Sequence, residues 1–344
     1  MAGDVAEQLG LGLMGLEEAR RRAEQLPTKA VRARALNRVE ATHDLLSSLP
    51  KIEDLTFNHS GLCQTSLPHA RPATNSTVWK RQSGRFTLMI RPGVISGASA
   101  VSPARGKVEK GEEDYVGVPF GPKARLIMFH LQTEGLKSRT VSLGRNLSAF
   151  LRSLGLEVRG GPRGTIRPIR EQALRIGRCT FTMQWDADNG QRTIITDTNI
   201  VDGMDLWSPA SEDWAGEVQL SQRFHEHLRE HAVPLDRRGI ALLSNNSLGL
   251  DLYALFAYRL QRLRAPLKLT WDQLQDQIGS EYAETKELSR KVRDVLPTVL
   301  NAYPNAQVEV EQQRGRTAGG LILKPSKPAV PKNTVQGYRL VESG

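Results

Sequence analysis

One order of elements occurs twice in this chain, and it narrows the fold more than any other feature. Beginning at Pro122, PKARLIMFHLQTEG reads as a helix with proline near its start, a favoured place for it. RTVSLG reads as a short strand, and NLSAFLRSLG as an amphipathic helix ending at Gly155. A second helix, GTIRPIREQALRIGR, follows. CTFTMQW and QRTIITDTNI are then two strands joined by Asp188-Asn189-Gly190, a strong hairpin signal. The order returns from Ser247: helix SLGLDLYALFAYRLQRL, strand PLKLT, helix WDQLQDQIG ending at Gly279, helix ETKELSRKVRDVLPTVLNAY, strand AQVEVEQ, turn RGRTAGG and strand LILKP. VSLGRNLSAFLRSLG and LKLTWDQLQDQIG read as two copies of one strand–helix unit, repeated in pattern more than in identity.

Helix, strand, helix, helix, hairpin is the order of a winged helix, in which the second helix of the turn enters the DNA major groove. The expected fold class is therefore α+β, with two tandem winged-helix domains preceded by a helical N-terminal arm. Residues 1–56 are expected to be that arm, helical or partly disordered, with one or two amphipathic helices in its first 50 residues. Residues 57–114 read as an extended segment with a strand near 85–90, then a flexible linker over SGASAVSPARGKVEKGEED. The first winged helix takes 115–205, a helical inter-domain linker 206–246, the second winged helix 247–328, and a flexible tail 329–344.

The helix at 163–178 carries the charge. The window Arg159–Arg178 holds six arginines and one acid, Glu171. At 100° per residue, Ile166, Ile169, Ala173 and Ile176 share one narrow sector, which faces the core. Arg163, Arg167, Arg170, Arg175 and Arg178 lie away from it, on the expected outward face. An arginine fork there can bind phosphate oxygens or the guanine edge in two-pronged fashion. Gly160, Gly161 and Gly164 allow a tight turn, and Pro168 is tolerable only in the first helical turn. Thr165 at the helix start and Arg192 in the wing join the candidate DNA contacts. In the second copy, Leu288, Val292, Val295, Leu296 and Val299 form the apolar face, with Lys286, Arg290 and Arg293 beside it. Glu281, Glu284, Glu287 and Asp294 balance Lys286, Arg290, Lys291 and Arg293, so this helix is expected to read bases or position the module more than to attract DNA in bulk. Pro297 is expected to kink or end it. Arg314 and Arg316 in the turn are candidates for backbone or minor-groove contact.

The bulk numbers agree. The net charge is +10 and the sequence pI about 9.8, a surplus that favours a polyanion partner, nucleic acid first. Cys63 and Cys179 lie too far apart in sequence for a disulfide framework or a zinc ribbon, and a reduced, cytoplasmic setting is the default. No run approaches the ~18 consecutive apolar residues of a membrane span. The arginines of the N-terminus follow its apolar part, the wrong order for a secretory signal.

The chain resembles the RepA-type plasmid replication initiators, the family defined by a shared C-terminal region. The stretches that carry this are GLCQTSLPHARP, KRQSGRFTLMIRPG, GVPFGPKARLIMFHLQTE, VSLGRNLSAFLRSLGL, GTIRPIREQALRI, HAVPLDRRGIALLSNNSLGLDLYALFAYRL, NAYPNAQVEV and LILKPSKP, within residues 57–328. The resemblance implies a sequence-specific binder of double-stranded DNA with no catalytic chemistry and no cofactor. It implies binding to plasmid origin repeats, help in opening the origin, and recruitment of a host replication initiator and the replicative helicase. It also implies homodimers that repress their own promoter. A winged-helix transcriptional repressor is the alternative that shares the DNA chemistry. HEHLREH at 225–231 offers another class: His227, Glu230 and His231 match the inverted zinc-peptidase pattern, and His225 and His227 with Tyr282 a rolling-circle nickase. Against it, Val233-Pro234 ends the segment and no third-ligand motif follows. No phosphate-binding G-x-x-x-x-G-K-[ST] loop is present.

Overall fold

The computed structural model describes residues 15–96, 114–144, 147–156, 158, 164–187, 192–203, 217–279, 282–312 and 318–343. The chain forms two compact units, the first from Met1–Thr56 with Pro234–Gly344 and the second from Phe57–Val233. The first opens with α1 (Leu16–Glu24) and α2 (Lys29–Ser47), and the chain leaves it within β1 (Leu55–His59). The second unit continues with α3 (Ser60–Gln64), β2 (Trp79–Ser83), β3 (Phe86–Arg91), α4 (Gly121–Lys137) and β4 (Thr140–Ser142). Then come α5 (Leu147–Ser153), α6 (Ile166–Arg178), β5 (Thr180–Ala187), β6 (Arg192–Asn199), β7 (Val201–Gly203), β8 (Glu217–Leu220) and α7 (Gln222–His231). The chain returns within β9 (Ala232–Asp236) to α8 (Arg237–Leu243), α9 (Ser247–Arg259) and β10 (Leu267–Thr270). It closes the first unit with α10 (Trp271–Leu274), α11 (Thr285–Ala302), β11 (Val308–Glu311), β12 (Gly320–Leu323) and α12 (Lys332–Ser343).

In the first unit, β10, β12 and β11 form one antiparallel sheet in that order, with Leu269 opposite Leu321 and Val308 opposite Leu323. These four side chains are buried. Helix α9 is buried from Ser247 to Ala257, as expected of a helix that is apolar on nearly every side, with Asp251 buried among the apolar residues. It starts at Asn246, whose Oδ1 accepts from the Gly249 N–H at 2.9 Å, a cap that stabilises by about 1 kcal/mol. Thr270 and Gln273 form a reciprocal capping box at the start of α10, which runs on as a π-helical turn over Gln275–Gly279. Helix α2 packs against α8 and α11, so the described part of residues 1–56 is integral to this unit and not a separate arm. Arg238 fastens it: Nη1 and Nη2 donate to the Oγ and carbonyl of Ser48, while Nη2 pairs with Asp236 at 2.8 Å. Nor is 329–344 a tail throughout: α12 packs on the 3₁₀ turn Ile52–Asp54, and Thr334 Oγ1 donates to the Pro50 carbonyl.

The second unit differs from the expected wing. β5 and β6 form the anticipated hairpin, but β3 pairs with the other edge of β5, giving an antiparallel sheet β2-β3-β5-β6 with Phe86 opposite Trp185. Residues 79–91 therefore belong to the module rather than to an extended segment. β4 does not pair with the hairpin; it pairs with β8, which lies in the stretch expected to be a helical linker. The boundary between units falls at 233/234, inside the stretch 206–246 expected to link the two domains. Asp188-Asn189-Gly190 and residues 97–113 lie outside the described residues.

Candidate nucleic-acid interface

Helix α6 begins at Ile166, so Pro168 sits in its first turn, where a missing N–H costs nothing. Ile169, Ala173 and Ile176 are buried as their spacing predicts, but Glu171, Gln172 and Arg175 on other faces are buried too. Arg175 is 0% exposed, which corrects the expectation that it faces outward. The reason is a second layer over the helix, made by residues near Asn75 and by Gly117–Phe120. Arg175 Nη1 donates to the Val118 carbonyl at 2.8 Å, Nη2 to Asn75 Oδ1 at 3.1 Å, and Nε to Glu171 at 3.2 Å. Arg71 pairs with the same carboxylate, and both guanidinium carbons lie 4.9 Å from the centre of the Phe120 ring. Gln172 Oε1 accepts from the Phe120 N–H at 2.8 Å. Burial pushes the Arg175 guanidinium down to about 10, with Glu171 opposing and Arg71 adding to the shift. Gly117 has φ 77°, and a Cβ there would lie 2.2 Å from Arg175 Nη1. Two arginines thus share one glutamate inside the unit, with an amide and a main-chain carbonyl accepting from Arg175 as well. Beside them, burial pushes the Cys179 thiol up to about 12, leaving an inert neutral group.

The remaining α6 cations are unequal. Arg167 is exposed, Arg170 is half-buried, and Arg178 is exposed but donates to the Val94 carbonyl at 3.0 Å. Thr165 is half-buried at the N-cap and its side chain caps nothing. Arg163, Gly160 and Gly161 lie outside the described residues. Arg192 is the first residue of β6, opposite Ala187.

Helix α11 is arranged otherwise. Leu288, Val292, Val295, Leu296 and Val299 are buried, and α11 packs against α8 and α9 through this face. Pro297 does not end it; the helix runs on to Ala302. Packing of Val299 and Ala302 offsets the roughly 3 kcal/mol that an interior proline costs. The approach is close, because a Cβ at Gly239 of α8 would lie 2.8 Å from the Ala302 carbonyl oxygen. Lys286, Arg290 and Arg293 are exposed, and so is Lys291, which charge balance alone did not single out. None of the four makes an ion pair among the described residues. Arg293 lies over the Trp271 ring, 5.5 Å from its centre. By contrast, the sheet lysines are neutralised: Lys268 pairs with Glu311 and Lys324 with Glu309. Arg314 and Arg316 lie outside the described residues.

The histidine motif occupies α7. His227 Nδ1 is engaged by His59 Nε2 at 2.7 Å, and among the described residues no group of three or more His, Cys, Asp or Glu is placed to hold a metal ion. Among the same residues no helix is long and apolar enough to cross a membrane.

These features define a basic α+β protein with several small sheets and a helix, α11, whose four exposed cations make no ion pair among the described residues. The family model described as plasmid encoded RepA protein matches residues 118–273, so over that stretch the chain is similar to this family. The match includes α6 and stops short of α11. No curated protein and no solved structure matches the chain.

Proposed function

We propose that the protein is a non-catalytic plasmid replication initiator that binds duplex DNA in a sequence-specific way, and that α11 is its reading helix. The observation that carries this is the cationic row Lys286, Arg290, Lys291 and Arg293, exposed and without ion pairs among the described residues. The setting supports it. From α9 to β12 the elements follow winged-helix order, and the sheet order β10-β12-β11 places the returning wing strand in the middle. In such a module the helix after the turn lies in the major groove, where arginine forks can read guanine. The second unit is a modified relative of the same plan, with α6 locked beneath a cover and Arg167 as its most available cation.

Binding at origin repeats, opening of the origin, and recruitment of a host initiator and the replicative helicase complete the reading, together with dimer binding at the protein's own promoter. A repressor of the same fold would bind DNA equally well; plasmid maintenance separates the two. The test is fluorescence anisotropy on the DNA upstream of the gene and on a scrambled duplex across a salt series. Preferred binding to the upstream DNA, with a log–log slope of about −0.9 per phosphate contacted, is expected. Equal, weak binding to both duplexes would overturn the proposal.

A further inference from the structure

Within the second unit, β1 and α7 bring three imidazoles into one cluster. His59 is fully buried. Its Nδ1 accepts from the Gly61 N–H at 3.0 Å, which leaves the proton on Nε2 to donate to His227 Nδ1 at 2.7 Å. The two rings are stacked with centres 4.8 Å apart. His231, one turn further along α7, lies 4.3 Å from His227 and 5.8 Å from His59. Trp185 of β5 covers them at 5.1 and 6.2 Å, and Phe86 of β3 lies behind it. Gln132 of α4 holds the His59 main chain, its Oε1 accepting from the N–H at 2.6 Å.

We infer that this cluster is a proton-operated latch: neutral imidazoles hold α7 on the second unit, and protonation releases it. The surroundings supply little countercharge. The strands contribute aromatic rings and α4 contributes an amide. On α7 itself, Glu230 is 3.9 Å from His231 but largely exposed, Glu226 and Arg229 are exposed, and Arg223 donates to the Asp197 carbonyl of β6. Burial holds His59 well below its ordinary value, and His227 and His231 lower it further. His227 is lowered by burial and by His231, with Glu230 opposing. His225 on the same helix is lowered by burial, then by Arg229 and Arg139.

The direction follows. Once α7 opens, His59 and His227 regain ordinary values near 6.5. Above that pH both forms are neutral and the latch holds fully. As pH falls through 6.5 the opened form takes up protons that the closed form refuses, and each histidine raises the opening constant by up to about tenfold per pH unit. Phe224 and Leu228, the buried apolar residues of the same helix, oppose the release and keep the opened form a minor population. Helix α7 is the last helix before the chain returns to the first unit.

Hydrogen exchange on the full chain tests this, with intrinsic rates corrected for pH. Between pH 6.5 and 5.5 the opening constant of the α7 amides should rise about tenfold or more, while the amides of α4 hold theirs. His227→Phe keeps a ring in the stack but removes the acceptor and the titration; its rise should be smaller and its exchange at pH 7.5 faster. A flat profile, an equal rise in His227→Phe, or a rise shared by α4 would overturn the latch. If the variant does not fold, the imidazole resonances of the unaltered protein decide. His59 and His227 titrating below 6.5 support the latch, and titration at or above 6.5 overturns it.

Discussion

Helices α6 and α11 occupy corresponding places in the two copies of one element order, and their charge behaves in opposite ways. The α6 window carries five more positive than negative charges, yet Arg175 and its neighbour Arg71 spend theirs on Glu171, and Arg178 bonds a carbonyl. The α11 window is balanced, yet Lys286, Arg290, Lys291 and Arg293 remain exposed and unpaired among the described residues. Charge counted along a helix thus says little about charge offered to a partner. What matters is whether another layer of the protein covers the helix.

The comparison can be broken most forcefully at the buried network. Arg175→Ala would remove the buried bonds to Glu171, to Asn75 Oδ1 and to the Val118 carbonyl, and loss of one member of such a network costs about 3–5 kcal/mol. Denaturant unfolding of the second unit should show it; a variant of unchanged stability would mean that the network is not structural. Next come the reading residues. Arg290→Ala and Arg293→Ala should each weaken binding to the upstream DNA by about 1–3 kcal/mol if the contact is to a base. Arg167→Ala should weaken it less than either, as anisotropy with the same duplex would show. Gly117→Ala should destabilise the second unit by about 1–2 kcal/mol through its left-handed backbone alone, with displacement of Arg175 added, and thermal unfolding measures the sum. Lys291→Ala is the mildest change: if it meets a phosphate, the salt slope falls by about 1 with sequence preference kept.

Much of the architecture was legible because it is local. The strand–helix units, the hairpin at 180–199 and the apolar stripe of α11 follow from period, caps and turn residues. The rest depends on partners far along the chain. Arg175 stands on the side of α6 away from Ile166, so periodicity places it in solvent. It is buried because Val118 and Asn75 supply acceptors 57 and 100 residues away. The pairing of β3 with β5 and of β4 with β8 is equally non-local, and no turn signal announces it. Pro297 carries a local signal to stop, overridden by the packing of Val299 and Ala302. At the candidate interface the residue types were readable, but which cations stay free is decided by tertiary cover.

The central claim is that α11, the helix of balanced charge, reads DNA while the arginine-rich α6 is mainly structural. It is tested most directly by anisotropy of Arg290→Ala and Arg167→Ala on the upstream duplex at fixed salt, with folding of both variants verified. The account predicts a loss of about 1–3 kcal/mol for Arg290→Ala and a smaller one for Arg167→Ala. A full-sized loss for Arg167→Ala with unchanged binding by Arg290→Ala would contradict it and return the reading role to α6.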